Sequence, residues 1–108
     1  MVQFINKVEI QGIVGHSTVT SVNGKGVVNF SVMTENTSAS GNQIVIDSTW
    51  FQVTYWQDSP AETIFKGDIA HVWGRFRARK YITPDNQERA VYDIIAEKVV
   101  IEEHKTEE

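Results

Sequence analysis

Apolar and polar residues alternate with a period of two along most of the chain, the pattern of half-buried β-strands. FINKVEIQGIV (4–14) alternates around Val8, Ile10 and Gly12, and HSTVTSV (16–22) continues with β-branched residues at every other position. NGKG (23–26) supplies the Asn-Gly signal of a tight hairpin, and VVNFSVMT (27–34) is the return strand. ENTSASGNQ (35–43) is small and polar and predicts a mobile loop. IVIDSTWFQVTYWQ (44–57) and DIAHVWGRFRARKYI (68–82) are long β-branched and aromatic runs. TPDNQER (83–89) is turn-rich, and AVYDIIAEKVVIE (90–102) is a last strand whose alternation slips at Ala96 and Glu97, as at a bulge. SPAETIFKG (59–67) alone carries a helix signature: Ser59 as cap, Pro60 at the first turn, Glu62 completing a capping box and Gly67 as stop.

Five strands, with one short helix between strands 3 and 4, predict an all-β OB-fold, a five-stranded, partly open Greek-key barrel. At 108 residues the chain is long enough for one domain and one small core. The expected boundaries are a single domain over 1–103 and a short polar end over 104–108. No apolar run approaches the about 20 residues of a membrane span, and the first residues lack the basic and apolar regions of a signal peptide, so a soluble cytoplasmic protein is expected. Without cysteine there is neither a disulfide framework nor a thiolate metal site. His16, His71 and His104 show no ligand spacing, and neither a nucleophile elbow nor a paired-carboxylate motif is present. No metal, cofactor or catalytic activity is expected.

The net charge of −4 is unevenly placed. Residues 1–92 hold eight acids and eight bases, so the whole excess lies in 93–108. Against that background Arg75, Arg77, Arg79 and Lys80 fall within six residues. Such a local patch, rather than net charge, decides where a polyanion binds. Strand alternation puts Trp50, Gln52, Thr54 and Trp56 on one face of strand 3, with Phe51, Val53 and Tyr55 on the other. In strand 4, Trp73, Arg75, Arg77, Arg79 and Tyr81 share a face if no bulge intervenes, leaving Phe76 and Ala78 for the core. Gly74 beside Trp73 is the place for such a bulge, so Trp73 reads as structural or interfacial. Gly12 and Gly15 read as close-packing barrel glycines. Aromatic rings beside a cationic stripe are what a single-stranded nucleic acid needs: bases stack, at about 1–3 kcal/mol each, while the backbone follows positive charge. The competing readings are that Trp50 and Trp56 are core residues and that the arginines form a solvated strand face that discourages edge-to-edge aggregation.

These stretches together resemble one family. NKVEIQGIVG (6–15), VNFSVMTE (28–35), STWFQVTYWQ (48–57), GRFRARKY (74–81) and VYDIIAEKVVI (91–101) resemble, in order, the strands of bacterial single-stranded DNA-binding proteins. The stacking figure above is drawn in part from members of this family. The resemblance implies base stacking on Trp50, Trp56 and Tyr81. It implies phosphate contacts from Lys7, Arg75, Arg77, Arg79 and Lys80, and a homo-oligomer, usually a tetramer, with a dimer as the smaller option. The implied role is to bind and protect single-stranded DNA in replication, recombination or repair, in the cytoplasm at the nucleoid. Two departures qualify it. Thr37 stands where many members carry a further tryptophan. Typical members also run on into a flexible tail with an acidic tip ending in Pro-Phe, which recruits replication and repair enzymes, whereas this sequence ends in HKTEE. A shortened chain or a short paralogue without recruitment both fit that ending. The alternative is therefore a primosomal, replication-restart or mobile-element accessory factor acting through protein contacts. A third reading, an enzyme or oligosaccharide-binding module on the same fold, is opposed by the arginine stripe.

Overall fold

The computed structural model describes residues 2–57 and 64–104. Five strands, β1 (Val8–Val22), β2 (Lys25–Ser40), β3 (Gln43–Gln57), β4 (Ile69–Ile82) and β5 (Glu88–Glu103), close into a barrel in the order β1-β2-β3-β5-β4. All neighbours are antiparallel except β3 and β5, whose parallel seam consists of Val53↔Ile94, Thr54↔Ile95 and Tyr55↔Ala96. This is the OB topology, with the ring closed rather than partly open. The core is Val14, Val28, Phe30, Val32, Val53, Ile64, Ala70, Val72, Ile94 and Ala96, with Phe51 and Tyr55 packed partly buried against it.

Local chemistry explains several junctions. Asn23 (φ 52°) and Gly24 (φ 80°) both take the left-handed conformation that a two-residue hairpin turn demands, and Val22 pairs with Lys25 across it. β1 serves two neighbours: its first half pairs with β4, its second with β2, and the register shifts between Val14 and Ser17 where it changes partner. At Gly12 an added Cβ would lie 2.0 Å from the Met33 carbonyl oxygen, so only glycine lets β1 approach β2 there. The slip expected at Ala96 and Glu97 is a bulge: Trp73 pairs with Lys98 and Gly74 with Ala96, leaving Glu97 without an opposite residue.

The structure departs from the sequence expectations in four places. Residues 4–7 precede β1 and are not strand. Residues 35–43 are not a loop: β2 and β3 remain paired from Thr34↔Thr49 out to Ser40↔Gln43, and Gly41 (φ 64°) makes the reversal. Small polar residues suit an exposed hairpin as well as a loop, because neither face of that ladder is covered. Phe76 and Ala78 are exposed rather than in the core. The pairing of β1 to β4 ends at Val8↔Gly74 and that of β3 to β5 at Val53↔Ile94, opposite Phe76, so beyond Phe76 β4 and β5 continue as a two-stranded ribbon. Of the helix expected over 59–67, residues 59–63 lie outside the described residues. Residues 65–68 form a turn closed by the Asp68 N–H donating to the Phe65 carbonyl (3.1 Å), with Gly67 at φ 94° and the Asp68 carboxylate accepting from the Phe65 N–H (3.0 Å), and there is no helix among the described residues.

Candidate nucleic-acid interface

On β3 the alternation holds. Val53 is buried, while Trp50 (55% exposed) and Trp56 (46%) point away from the core. Each exposed indole is an apolar surface left in water, and such surfaces on a strand face invite a partner. Trp50 has a seat. The edge of its six-membered ring lies against Gly15, where an added Cβ would come within 2.3 Å of Cζ3. Gly15 is thus a close-packing residue, but it packs beneath Trp50 on the outside of the barrel.

A depression of about 400 Å³ runs from Trp56 past Gln52 and Thr54 to Arg77, Arg79 and Asp93. Asn29 belongs to its wall, and its Oδ1 accepts from the Thr54 hydroxyl at 2.9 Å. A second depression, also about 400 Å³, is lined by Trp50, Gln52, Gly15, His16, Ser31 and Lys66. Gln52 lines both, so the two tryptophans and two of the four clustered cations share one continuous face. The arginines arrive there because β5 lies between β3 and β4, with Asp93 opposite Arg77 and Val91 opposite Arg79.

The cationic stripe is less positive than its sequence. Asp93 is only 4% exposed and takes a two-pronged contact from Arg79, through Nε to Oδ2 and through Nη2 to Oδ1 at 3.3 Å. Arg77 Nη2 lies 3.9 Å from the same carboxylate. The Asp93 hydrogen bond, and secondarily its charge, raises the Arg79 pKa above its ordinary value. Raising it favours the charged guanidinium, which keeps its proton until pH climbs through the raised value. Lys80 and Glu88 make an exposed pair at 3.5 Å, of the kind worth about 0–1 kcal/mol and readily exchanged for a phosphate. Arg75 makes no ion pair with the described residues.

Tyr81 and Lys7 stand apart from this face. Tyr81 (49% exposed) is near the tip of the β4–β5 ribbon, opposite Arg89, and lines neither depression. Lys7 lines a third depression of about 660 Å³ with Phe4, Glu9, Trp73 and Glu97, which shares no residue with the other two. The Asn6 side chain pins the segment before β1, donating to the Phe76 carbonyl at 2.8 Å and accepting from the Phe76 N–H at 3.0 Å. Trp73 is covered rather than open: His71 stacks on it with ring centroids 3.7 Å apart and planes 18° apart, and Lys98 Nζ sits 4.9 Å above its ring. His71 in turn meets Glu9 at 2.5 Å and Glu102 at 3.6 Å.

Asp93, Asn29, His16 and Lys66 were not among the expected site residues. An acid inside the apolar run VYDIIA was the available signal for Asp93, because a buried carboxylate needs a cation opposite. Nothing in the sequence marked His16 or Lys66, which the fold brings together from distant segments. Among the described residues no group of three or more His, Asp or Glu side chains is placed to hold a metal.

An OB barrel carrying exposed tryptophans beside arginines defines a class, the oligonucleotide-binding β-barrels. Residues 5–101 match the model of the single-strand binding protein family, and the chain belongs to that family. It is similar to the single-stranded DNA-binding proteins of two Neisseria meningitidis strains, of serogroups A and B. Each is 32% identical over 101 residues, spanning 88% of this chain and 58% of the relative. The chain therefore corresponds to less than two-thirds of the length of those relatives. Among solved structures it resembles the Plasmodium falciparum SSB in complex with ssDNA, with TM-score 0.78, 23% identity, and 94% of this chain and 97% of the other covered. It also resembles a deletion mutant of the Thermus aquaticus single-stranded DNA binding protein, with TM-score 0.75, 14% identity, and 92% and 51% covered. At those identities the likeness is one of fold.

Proposed function

We propose that this chain binds and protects single-stranded DNA without strong sequence preference, in replication, recombination or repair, and without chemical turnover. The supporting observation is the face on which Trp50 and Trp56 lie open beside Arg77 and Arg79. Bases stack on the two indoles, and phosphates are met by Arg75, Arg77, Arg79 and Lys80. Tyr81 extends the stacking surface along the β4–β5 ribbon, and Lys7 contacts a strand that has left the groove. The family's solved and curated relatives named for single-stranded DNA point the same way. The chain also assembles as a homo-oligomer, a tetramer by family habit. In support, Phe4 and Ile5 are highly exposed apolar residues beside the depression that holds Trp73. The proposed compartment is the cytoplasm, at the nucleoid; no helix among the described residues is long and apolar enough to cross a membrane.

The test is tryptophan fluorescence during titration with oligo-dT at low and high salt. Strong quenching that saturates at a fixed number of nucleotides per subunit and weakens with salt is the expected result, with a slope near −0.7 per neutralised phosphate. Unchanged fluorescence with no complex at low salt overturns it and leaves the protein-contact alternative. Light scattering of the free protein reads the assembly.

A further inference from the structure

Beside Trp50 the structure builds a polar pocket that stacking does not require. Ser31 is only 1% exposed, so its hydroxyl proton needs an acceptor inside the protein. Its oxygen already accepts from the His16 backbone N–H at 3.1 Å. Among the described residues the remaining neighbour within reach is Nδ1 of the same histidine, at 2.9 Å. If Nδ1 carried a proton, the Ser31 oxygen would accept twice and its own buried proton would have no partner. The satisfied arrangement has Ser31 donating to a bare Nδ1, which leaves the proton of the neutral imidazole on Nε2. His16 is exposed and lines the depression that holds Trp50, Gln52 and Lys66.

We infer that this depression is a nucleotide subsite in which His16, fixed by Ser31, donates from Nε2–H to a carbonyl oxygen of the base stacked on Trp50. The inference rests on the single-stranded DNA reading above. Ser31 acts as a positioning residue and does not touch the base. Gln52, with an amide that both donates and accepts, faces the same space, and Lys66 meets the phosphate of that nucleotide. Thymine, with two carbonyl oxygens, is well suited to such a donor. The subsite adds a mild chemical preference to a surface that otherwise accepts any π-face.

The experiment compares oligo-dT with a strand of equal length built from difluorotoluene nucleosides, which keep the shape and stacking of thymine but are very poor hydrogen-bond acceptors. Affinities for both are measured for the wild type, His16→Phe, His16→Gln and Ser31→Ala, with circular dichroism confirming the fold. His16→Phe keeps a ring and removes the donor, so the preference for oligo-dT over the analogue falls by about 3- to 10-fold, the value of one hydrogen bond. His16→Gln, which can accept from Ser31 and donate outward, recovers part of it, and Ser31→Ala falls between. A preference unchanged in His16→Phe, while both strands still quench Trp50, overturns the subsite and leaves the stacking reading intact. Failure of the wild type to bind either strand overturns both. A second readout needs no variant. In the free protein, ¹⁵N shifts of the His16 ring report the proton on Nε2, and that signal moves on adding oligo-dT but not the analogue. A proton found on Nδ1, or equal movement with both strands, rejects the assignment.

Discussion

Two tryptophan faces on one barrel have opposite settings. On β3, Trp50 and Trp56 stand open, flanked by Gln52 and Thr54, with glycine and arginine near by. On β4, Trp73 is stacked on the His71 ring and contacted by the Lys98 ammonium, and His71 is itself held by Glu9 and Glu102. The difference lies in who supplies the partner for the aromatic face. Around Trp73 the protein supplies it from its own strands. Around Trp50 and Trp56 it supplies only the rim, and the face itself is left for something with π-surfaces and negative charge.

Truncating the open pair should have the largest effect. Trp50→Ala and Trp56→Ala are each expected to weaken oligo-dT binding by about 5- to 150-fold, the value of one stacked base, and to combine nearly additively because six residues of strand, roughly 20 Å, separate them. Trp73→Ala should leave that affinity unchanged while lowering the urea midpoint. Equal losses at all three positions would erase the contrast. The glycines next to the tryptophans sharpen it further. A Cβ at Gly74 would lie 2.1 Å from the Ile95 carbonyl oxygen, which is backbone and cannot step aside, so Gly74→Ala should cost about 1–3 kcal/mol of stability or more. A Cβ at Gly15 meets the outer edge of the Trp50 ring and, at 2.8 Å, the buried Ser31 hydroxyl, so Gly15→Ala should cost a few-fold in DNA affinity and some stability, though less than Gly74→Ala because no backbone atom stands in the way. Asp93→Asn releases Arg79 and should steepen the salt dependence of binding by about 0.7, one further phosphate. Unaltered slope would mean that DNA already displaces the carboxylate. The smallest effect belongs to Lys98→Gln, which removes a cation–π contact worth about 0.5–1 kcal/mol and should lower stability without touching DNA binding.

The five strands, the Asn23-Gly24 turn, the Glu97 bulge and the outward set on β3 were legible because each depends on neighbours in sequence. Period two tells which side chains share a face, and Asn-Gly reports its own backbone preference. The unreadable parts depended on what lies opposite. Phe76 and Ala78 alternate as core residues should, yet β1 no longer pairs with β4 there and β3 has left β5 by the level of Ala78. Glu35 to Ser40 have loop composition, yet a ladder partner 13 residues or fewer away keeps them extended. The same reason hid Asp93, whose meaning comes from two arginines on the adjacent strand, and His16, whose orientation comes from a serine on β2. The site residues expected from the sequence were gathered only in part: Trp50, Trp56, Arg77 and Arg79 share the two joined depressions, while Tyr81 and Lys7 lie beyond them.

The barrel closes through three residue pairs between β3 and β5, the shortest join in the ring. β3 carries both open tryptophans, and β5 carries the aspartate that holds the arginines. A single strand of DNA lying across this face would therefore act as a clasp, tying together the two sides of the weakest joint. Amide protons of Val53–Tyr55 and Ile94–Ala96 should then exchange more slowly in the complex than in the free protein, and the slowing should be greater there than along β1–β2. On this account the ligand is also part of what keeps the barrel shut.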